Sequence, residues 1–139
     1  MEKLFKQRSE FNEAFSINSR AYLGNLSEAS FGLEYRMLAE ELEEYLTACM
    51  ENDTIEIVDA IGDMLYLIIG VAKKHGMTPN MLESVMNEIH QSNMSKLHNG
   101  KVVKDENGKV SKPDTFNPPN LVNVLKSHIS VSYTHLRAH

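Results

Sequence analysis

Two aspartates, Asp59 and Asp63, stand inside the segment EIVDAIGDMLYLIIGVAKK (residues 56–74), whose remaining positions before Lys73 are almost all apolar. At about 100° per residue on a helix, Glu56, Asp59 and Asp63 fall within about 60° of one another. A helix apolar on nearly every side belongs in a core, where a carboxylate needs a cation, an arginine or hydrogen bonds to offset its desolvation. This segment carries no basic residue before Lys73, so a metal ion is the better expectation. The preceding segment AEELEEYL (residues 39–46) supplies the complement. Glu41 and Glu44 lie about 60° apart beside its apolar stripe, Glu40 is adjacent, and Glu43 points to solvent. Two such helices packed antiparallel gather acids that repel one another unless divalent cations lie between them. Magnesium, a hard cation, is held by a few carboxylates together with waters and substrate phosphates.

Plainer readings stand beside this one. Glutamate-rich helices are usually solvated faces, and Glu56 follows Asp53 at the third helical position, as in a capping box. Asn93 and Lys96, one turn apart, fit the end of a helix, His75 before Gly76 fits a C-terminal cap, and His90 fits a surface position. The lysines around residues 101–112 fit the charged edge of a hairpin.

These residues need helices to place them. Leu4, Phe5, Phe11 and Phe15 give residues 2–16 an amphipathic helical period, and residues 17–28 read as a loop. Leu38, Leu42, Tyr45, Leu46 and Cys49 define a second helix over about 29–50, which Asn52-Asp53 ends. A third runs to Lys73-Lys74-His75 and stops at Gly76. Thr78-Pro79 opens a fourth, carrying Leu82, Val85, Met86 and Ile89. Beyond Gly100, Asn107-Gly108 lies between two short β-prone runs, which predicts a hairpin. Leu121, Val122, Val124 and Leu125 after Pro118-Pro119 predict a short closing helix. The expected architecture is all-α, a four-helix-bundle-like single domain over residues 1–130 with a small C-terminal β-hairpin and a closing helix. The last nine residues, VSYTHLRAH (131–139), read like one frame of a sequencing adapter and are set aside as a non-native tail.

Composition removes several classes. The chain of 139 residues is 42% hydrophobic with a formal charge of -5, and its pI is near 5.7. One domain of this size buries about two-thirds of its unfolded surface, so a real core forms. An acidic chain lacks the basic face that nucleic-acid binding needs. Cys49 is the only cysteine, and no disulfide framework exists. Its place on an apolar stripe predicts an inert core thiol. The charged start MEKLFKQRSE is not a secretory signal, and the apolar run Met64–Ala72 falls far short of the ~20 residues of a membrane span. The expected location is the cytoplasm.

The order of four blocks, EELEE (40–44), EIVDAIGDMLYLIIG (56–70), NMSK (93–96) and GKVVKDENGKVSKP (100–113), resembles the all-α nucleotide pyrophosphohydrolase superfamily. In particular it resembles small phage and bacterial proteins related to phosphoribosyl-ATP pyrophosphohydrolase and MazG. The resemblance covers about residues 3–126 and implies magnesium-dependent hydrolysis of a nucleotide between its α and β phosphates, by a homodimer or dimer of dimers. Carried over by position, Glu41 and Glu44 match the first pair of metal ligands and Asp63 the later aspartate. One departure is Ala60, which occupies a position where the superfamily commonly has glutamate, so Asp59 or Glu56 must substitute. The metal set implied is Glu41, Glu44, Asp59 and Asp63, with magnesium, or manganese in its place. Glu40 is assigned to orient the attacking water, and Asn93, Lys96 and Lys112 to contact the substrate's phosphates.

Two other readings differ in class. A di-iron carboxylate oxidoreductase would use the same kind of acids but normally needs paired Glu-x-x-His motifs, and Glu83, Glu88 and His90 lack that spacing. A non-enzymatic helical dimerisation module would keep its acids for solubility alone.

Overall fold

The computed structural model describes residues 1–129, and the segment read as a non-native tail lies outside them. Helices α1 (Glu2–Ala14), α2 (Glu28–Met50), α3 (Thr54–Lys74), α4 (Pro79–Met94) and α5 (Leu121–Lys126) follow one another, so the all-α expectation holds. The chain divides into two compact units, one over Met1–Pro79 and one from Asn80 onward.

In the first unit, side-chain caps set the helix starts. Ser27 accepts a hydrogen bond from the Ser30 N–H at 3.3 Å to open α2. Asp53 accepts one from Glu56 N–H at 3.1 Å to open α3, half of the capping box read in the sequence. Between them, Asn52 takes a left-handed φ of 55° and reverses the chain. The two helices thereby pack along each other, the most extensive helix contact in the unit. A part-buried ion pair holds the far end of this hairpin, Lys74 Nζ to Glu34 Oε1 at 2.6 Å. The loop before α2 closes the C-terminus of α3. Arg20 N–H donates to the Lys74 carbonyl at 3.0 Å and Gly24 N–H to that of His75 at 2.9 Å. His75 Nδ1 pairs with the Gly24 carbonyl at 2.9 Å. Gly76 then takes φ +93°, and a Cβ there would strike the Tyr22 carbonyl. These contacts supply partners for carbonyls that a helix end leaves unpaired.

Helix α1 lies antiparallel on α3, and three contacts fix its register. Lys73 Nζ sits 5.8 Å from the Phe5 ring centre. The Arg8 guanidinium lies 5.1 Å from the Phe11 ring centre and 4.9 Å from that of Tyr66. The Phe11 and Tyr66 rings meet edge to face at 5.6 Å. Arg8 is itself buried. It donates from Nη1 to the Tyr66 carbonyl at 3.0 Å and from Nε to Asn12 Oδ1 at 2.9 Å. The guanidinium occupies the space that a Cβ on Gly70 would need.

In the second unit, Glu88 Oε1 accepts from the Asn120 N–H at 3.0 Å, and His128 Nε2 pairs with Ser84 Oγ at 2.9 Å, tying α5 to α4. The predicted hairpin is reduced to a local turn. Asp105 Oδ1 accepts from the N–H groups of Asn107 (2.9 Å) and Lys109 (3.0 Å) to build the turn. Pairing stops at the isolated bridge Lys104–Val110, with another at His98–Lys101, and no β-ladder forms among the described residues. Residues 101–110 are all exposed, so no apolar face is buried to propagate a ladder.

Two further expectations change. Cys49 is exposed rather than a core thiol. The third helix is not enclosed on all sides either: Val58, Ile61, Leu65 and Ile68 are exposed on one face, and Tyr35, Leu42, Leu46 and Met50 on one face of α2. Within this unit, α3 has only α1 and α2 as helical partners, which leaves that face bare. Among the described residues, no helix is long and apolar enough to cross a membrane.

The contact between Arg8 and Gly70 generates a test. Gly70→Ala should destabilise by about 1–3 kcal/mol, the usual cost of overpacking, because the guanidinium is held by two rings and two hydrogen bonds. In an Arg8→Ala background the same change should be neutral or stabilising, since alanine exceeds glycine in helix propensity by roughly 1 kcal/mol. Chemical denaturation of the four proteins in a double-mutant cycle reads the difference.

Candidate metal centre

The hairpin of α2 and α3 brings together the acids that the sequence singled out. Glu41 is half-buried. Burial, with Glu44 and then Asp63 beside it, a hydrogen bond to Glu44 and the nearby Asp59, pushes its carboxyl above the ordinary glutamate range. Burial, followed by the charges of Asp59 and Glu44, likewise raises the Asp63 carboxyl. All four acids therefore share one electrostatic neighbourhood, with two members on each helix.

The remaining candidates sit apart from this group. Glu40 is exposed, about 100° around α2 from Glu41. Glu56, whose N–H is taken by the Asp53 cap, lines with Glu43, Glu44, Thr47, Ala48 and Glu51 a cleft of about 270 Å³. Glu41, Asp59 and Asp63 do not line it. Asn93, Lys96 and Lys112 belong to the second unit. Asn93 is exposed in the last turn of α4, Lys96 is half-buried in the turn beyond it, and Lys112 Nζ lies 5.1 Å from the Phe116 ring centre.

Two structural elements of this region escaped the sequence reading. Glu34 was not singled out, although it stands seven residues before Glu41 and so on nearly the same side of α2. Its pairing with Lys74, forty positions away, is visible only once the hairpin is formed. Arg8 gave no signal among the charged residues of an amphipathic helix.

A family model, phosphoribosyl-ATP pyrophosphohydrolase, matches residues 1–93. The chain belongs to this family. Family members are hydrolases that act on the pyrophosphate bonds of nucleotide-like substrates. The matched segment includes Glu40, Glu41, Glu44, Asp59, Asp63 and Asn93, and stops before Lys96 and Lys112. No curated protein matches the chain.

Among the described residues, no three His, Cys, Asp or Glu side chains already converge as a metal-ligating group. The donor set nevertheless fits a hard divalent cation. Glu41 Oε2 is buried with no hydrogen-bond partner, and burial together with the charges of Glu44, Asp63 and Asp59 raises its carboxyl.

The raised carboxyls give a pH dependence. Both groups bind protons more tightly in the folded chain than their ordinary values of 4.5 and 3.8. Their contribution to stability is thus fully present below those values and is lost as pH rises through the folded ones. In chelator, Asp63→Asn should melt higher than the unaltered protein at pH 7, and the advantage should vanish as pH falls below about 4. Affinity for magnesium should rise with pH across the same window, as ligands lose their protons. Melting curves against pH, with and without magnesium, read both effects.

Proposed function

We propose that this protein hydrolyses nucleoside triphosphates, or a related nucleotide such as phosphoribosyl-ATP, between the α and β phosphates to give a monophosphate and pyrophosphate. In this reading magnesium, or manganese in its place, is held by Glu41, Glu44, Asp59 and Asp63. The observation that carries it is the buried, unpartnered oxygen of Glu41 among three further acids. Membership of a pyrophosphohydrolase family supports it independently.

When bound, magnesium neutralises the triphosphate and makes its α phosphorus more electrophilic. Glu40, free of the ligand group and one position away from it, accepts a hydrogen bond from a water and takes its proton as the oxygen attacks in line. The bond from the α phosphorus to the bridging oxygen breaks, and pyrophosphate departs. Asn93, Lys96 and Lys112 are proposed to contact phosphate oxygens. An acidic chain must neutralise a polyanion locally, and lysines and a bound cation are the means this one possesses.

We further propose a homodimer, or a dimer of dimers, acting in the cytoplasm. The exposed apolar bands of α2 and α3 support this assembly. Leu42 (58% exposed), Met50 (80%) and Val58 (63%) lie on helix faces that no element of their unit covers. Bands of this kind mark protein interfaces more often than bare surface. Light scattering at micromolar concentration should find a dimer or tetramer, and Leu46→Lys together with Ile61→Lys should shift it to monomer.

Three near-isosteric variants test the chemistry. Asp63→Asn and Glu41→Gln should each lower turnover by at least about 10²-fold, equivalent to about 2.7 kcal/mol of transition-state stabilisation. Glu43→Gln, about 160° from Glu41 around α2, should leave turnover nearly unchanged. Pyrophosphate release under saturating magnesium, across the common ribo- and deoxyribonucleoside triphosphates, measures all three. Equal activity in every variant would reduce the acidic stripes to solubility features.

A further inference from the structure

The acids account for the phosphates of a nucleotide and leave its base without a site. The register of α1 on α3 brings an aromatic group to the level of the acids. Lys73 meets Phe5, Gly70 meets Arg8 and Tyr66 meets Phe11, so the pairing positions sum to nearly the same value along the two antiparallel helices. Continued by one turn, this register sets Phe15 level with Gly62 and Asp63. A Cβ built on Gly62 would meet nothing within 4 Å, so the space beside it is open.

Phe15 ends a layered stack of flat groups. The Arg8 guanidinium lies over Phe11, and the Phe11 and Phe15 rings stack with centres 4.4 Å apart and planes 26° from parallel. Phe15 itself is 66% exposed, and its N–H donates to the Phe11 carbonyl at 3.0 Å at the end of α1. Next to the stack, Gln7, Glu10, Phe11, Ala14, Phe15 and Tyr66 line an open cleft of about 460 Å³. Gln7 can donate and accept hydrogen bonds, while Glu10 accepts only.

This cleft is distinct from the apolar bands assigned to assembly. Asp59 and Tyr66 lie within about 20° of each other around α3, with Asp63 about 60° from Tyr66. Val58, Ile61, Leu65 and Ile68 are roughly 80–160° away from Tyr66. The aromatic cleft therefore shares the face of the acids.

We propose that the cleft is a nucleobase-binding subsite, in which the base stacks on the open face of Phe15 as the next layer after Phe11. Glu10 then accepts from exocyclic amino or ring N–H groups on the base edge, and Gln7 reads a neighbouring donor or acceptor. The inference rests on the triphosphate reading above, since it places the base of the same nucleotide whose phosphates meet the acids.

Base-free tripolyphosphate separates the two claims. Calorimetric titration, in magnesium, should compare tripolyphosphate with non-hydrolysable α,β-methylene nucleoside triphosphates of the four bases, on the unaltered protein, Phe15→Ala and Phe15→Tyr. At least one nucleotide analogue should bind the unaltered protein more tightly than tripolyphosphate. Phe15→Ala should lose about 10-fold in affinity for that analogue, within the range seen for removing a base-stacking ring. Its affinity for tripolyphosphate should be unchanged, and Phe15→Tyr should retain the nucleotide affinity. Equal binding of analogue and tripolyphosphate, or full nucleotide affinity in Phe15→Ala, would overturn the subsite while leaving the phosphate site intact. Failure of tripolyphosphate to bind the unaltered protein would instead overturn the phosphate site. Light scattering of Phe15→Ala should show the unaltered oligomeric state, and a change would reassign Phe15 to an interface and overturn the proposal.

Discussion

Like charge held at close range is the constraint on which the rest of this structure turns. Burial and the neighbouring acids raise the proton affinity of Glu41 and Asp63, because the hairpin of α2 and α3 sets these half-buried carboxyls beside the exposed Glu44 and Asp59. A fold seeking stability alone would separate such groups. Here the hairpin is instead secured at both ends. The tight reversal at Asn52-Asp53 holds one end, while the Glu34–Lys74 pair and the loop of Arg20 and Gly24 hold the other. The crowded acids therefore lie between two fixed points, which keeps the helices from splaying apart to separate them.

Helix α1 packs on the face of α3 that carries Tyr66 and Gly70. Arg8 reaches across to the backbone of α3 because Gly70 leaves room, and this sets the depth at which Phe11 and Phe15 arrive. One buried cation–π contact thus fixes where the aromatic end of α1 lies relative to the acids. The exposed bands of α2 and α3 show the same division of labour. Each helix turns a polar or packed side toward its neighbours in the chain and an apolar side outward.

Much of this was legible in the sequence, for identifiable reasons. Helix boundaries followed from Asp53, Thr78-Pro79 and Gly76, whose backbone and capping chemistry is local. Asp59 and Asp63 stood out because an apolar helix gives a carboxylate no ordinary reason to be there. What was not legible depended on distant partners. Arg8 looks like any charged residue of an amphipathic helix until Gly70 comes opposite it, and Glu34 looks solvated until Lys74 does. Cys49 was misplaced because an apolar stripe shows only that a face seeks cover, and here the chain's own first unit does not supply it. The hairpin expected after Gly100 does not form: Asp105 and Gly108 build a local turn, but the flanking runs have nothing to pack against and make no strands among the described residues.

The central claim is that these four acids form a divalent-cation site. Paramagnetic manganese reports on it directly, because it broadens the backbone amide signals nearest to it most strongly. Titrating manganese into isotope-labelled protein should selectively broaden residues around Glu41 to Glu44 and Asp59 to Asp63, with excess magnesium restoring them. Broadening spread evenly over the acidic surface, or centred away from these two helix turns, would contradict the account.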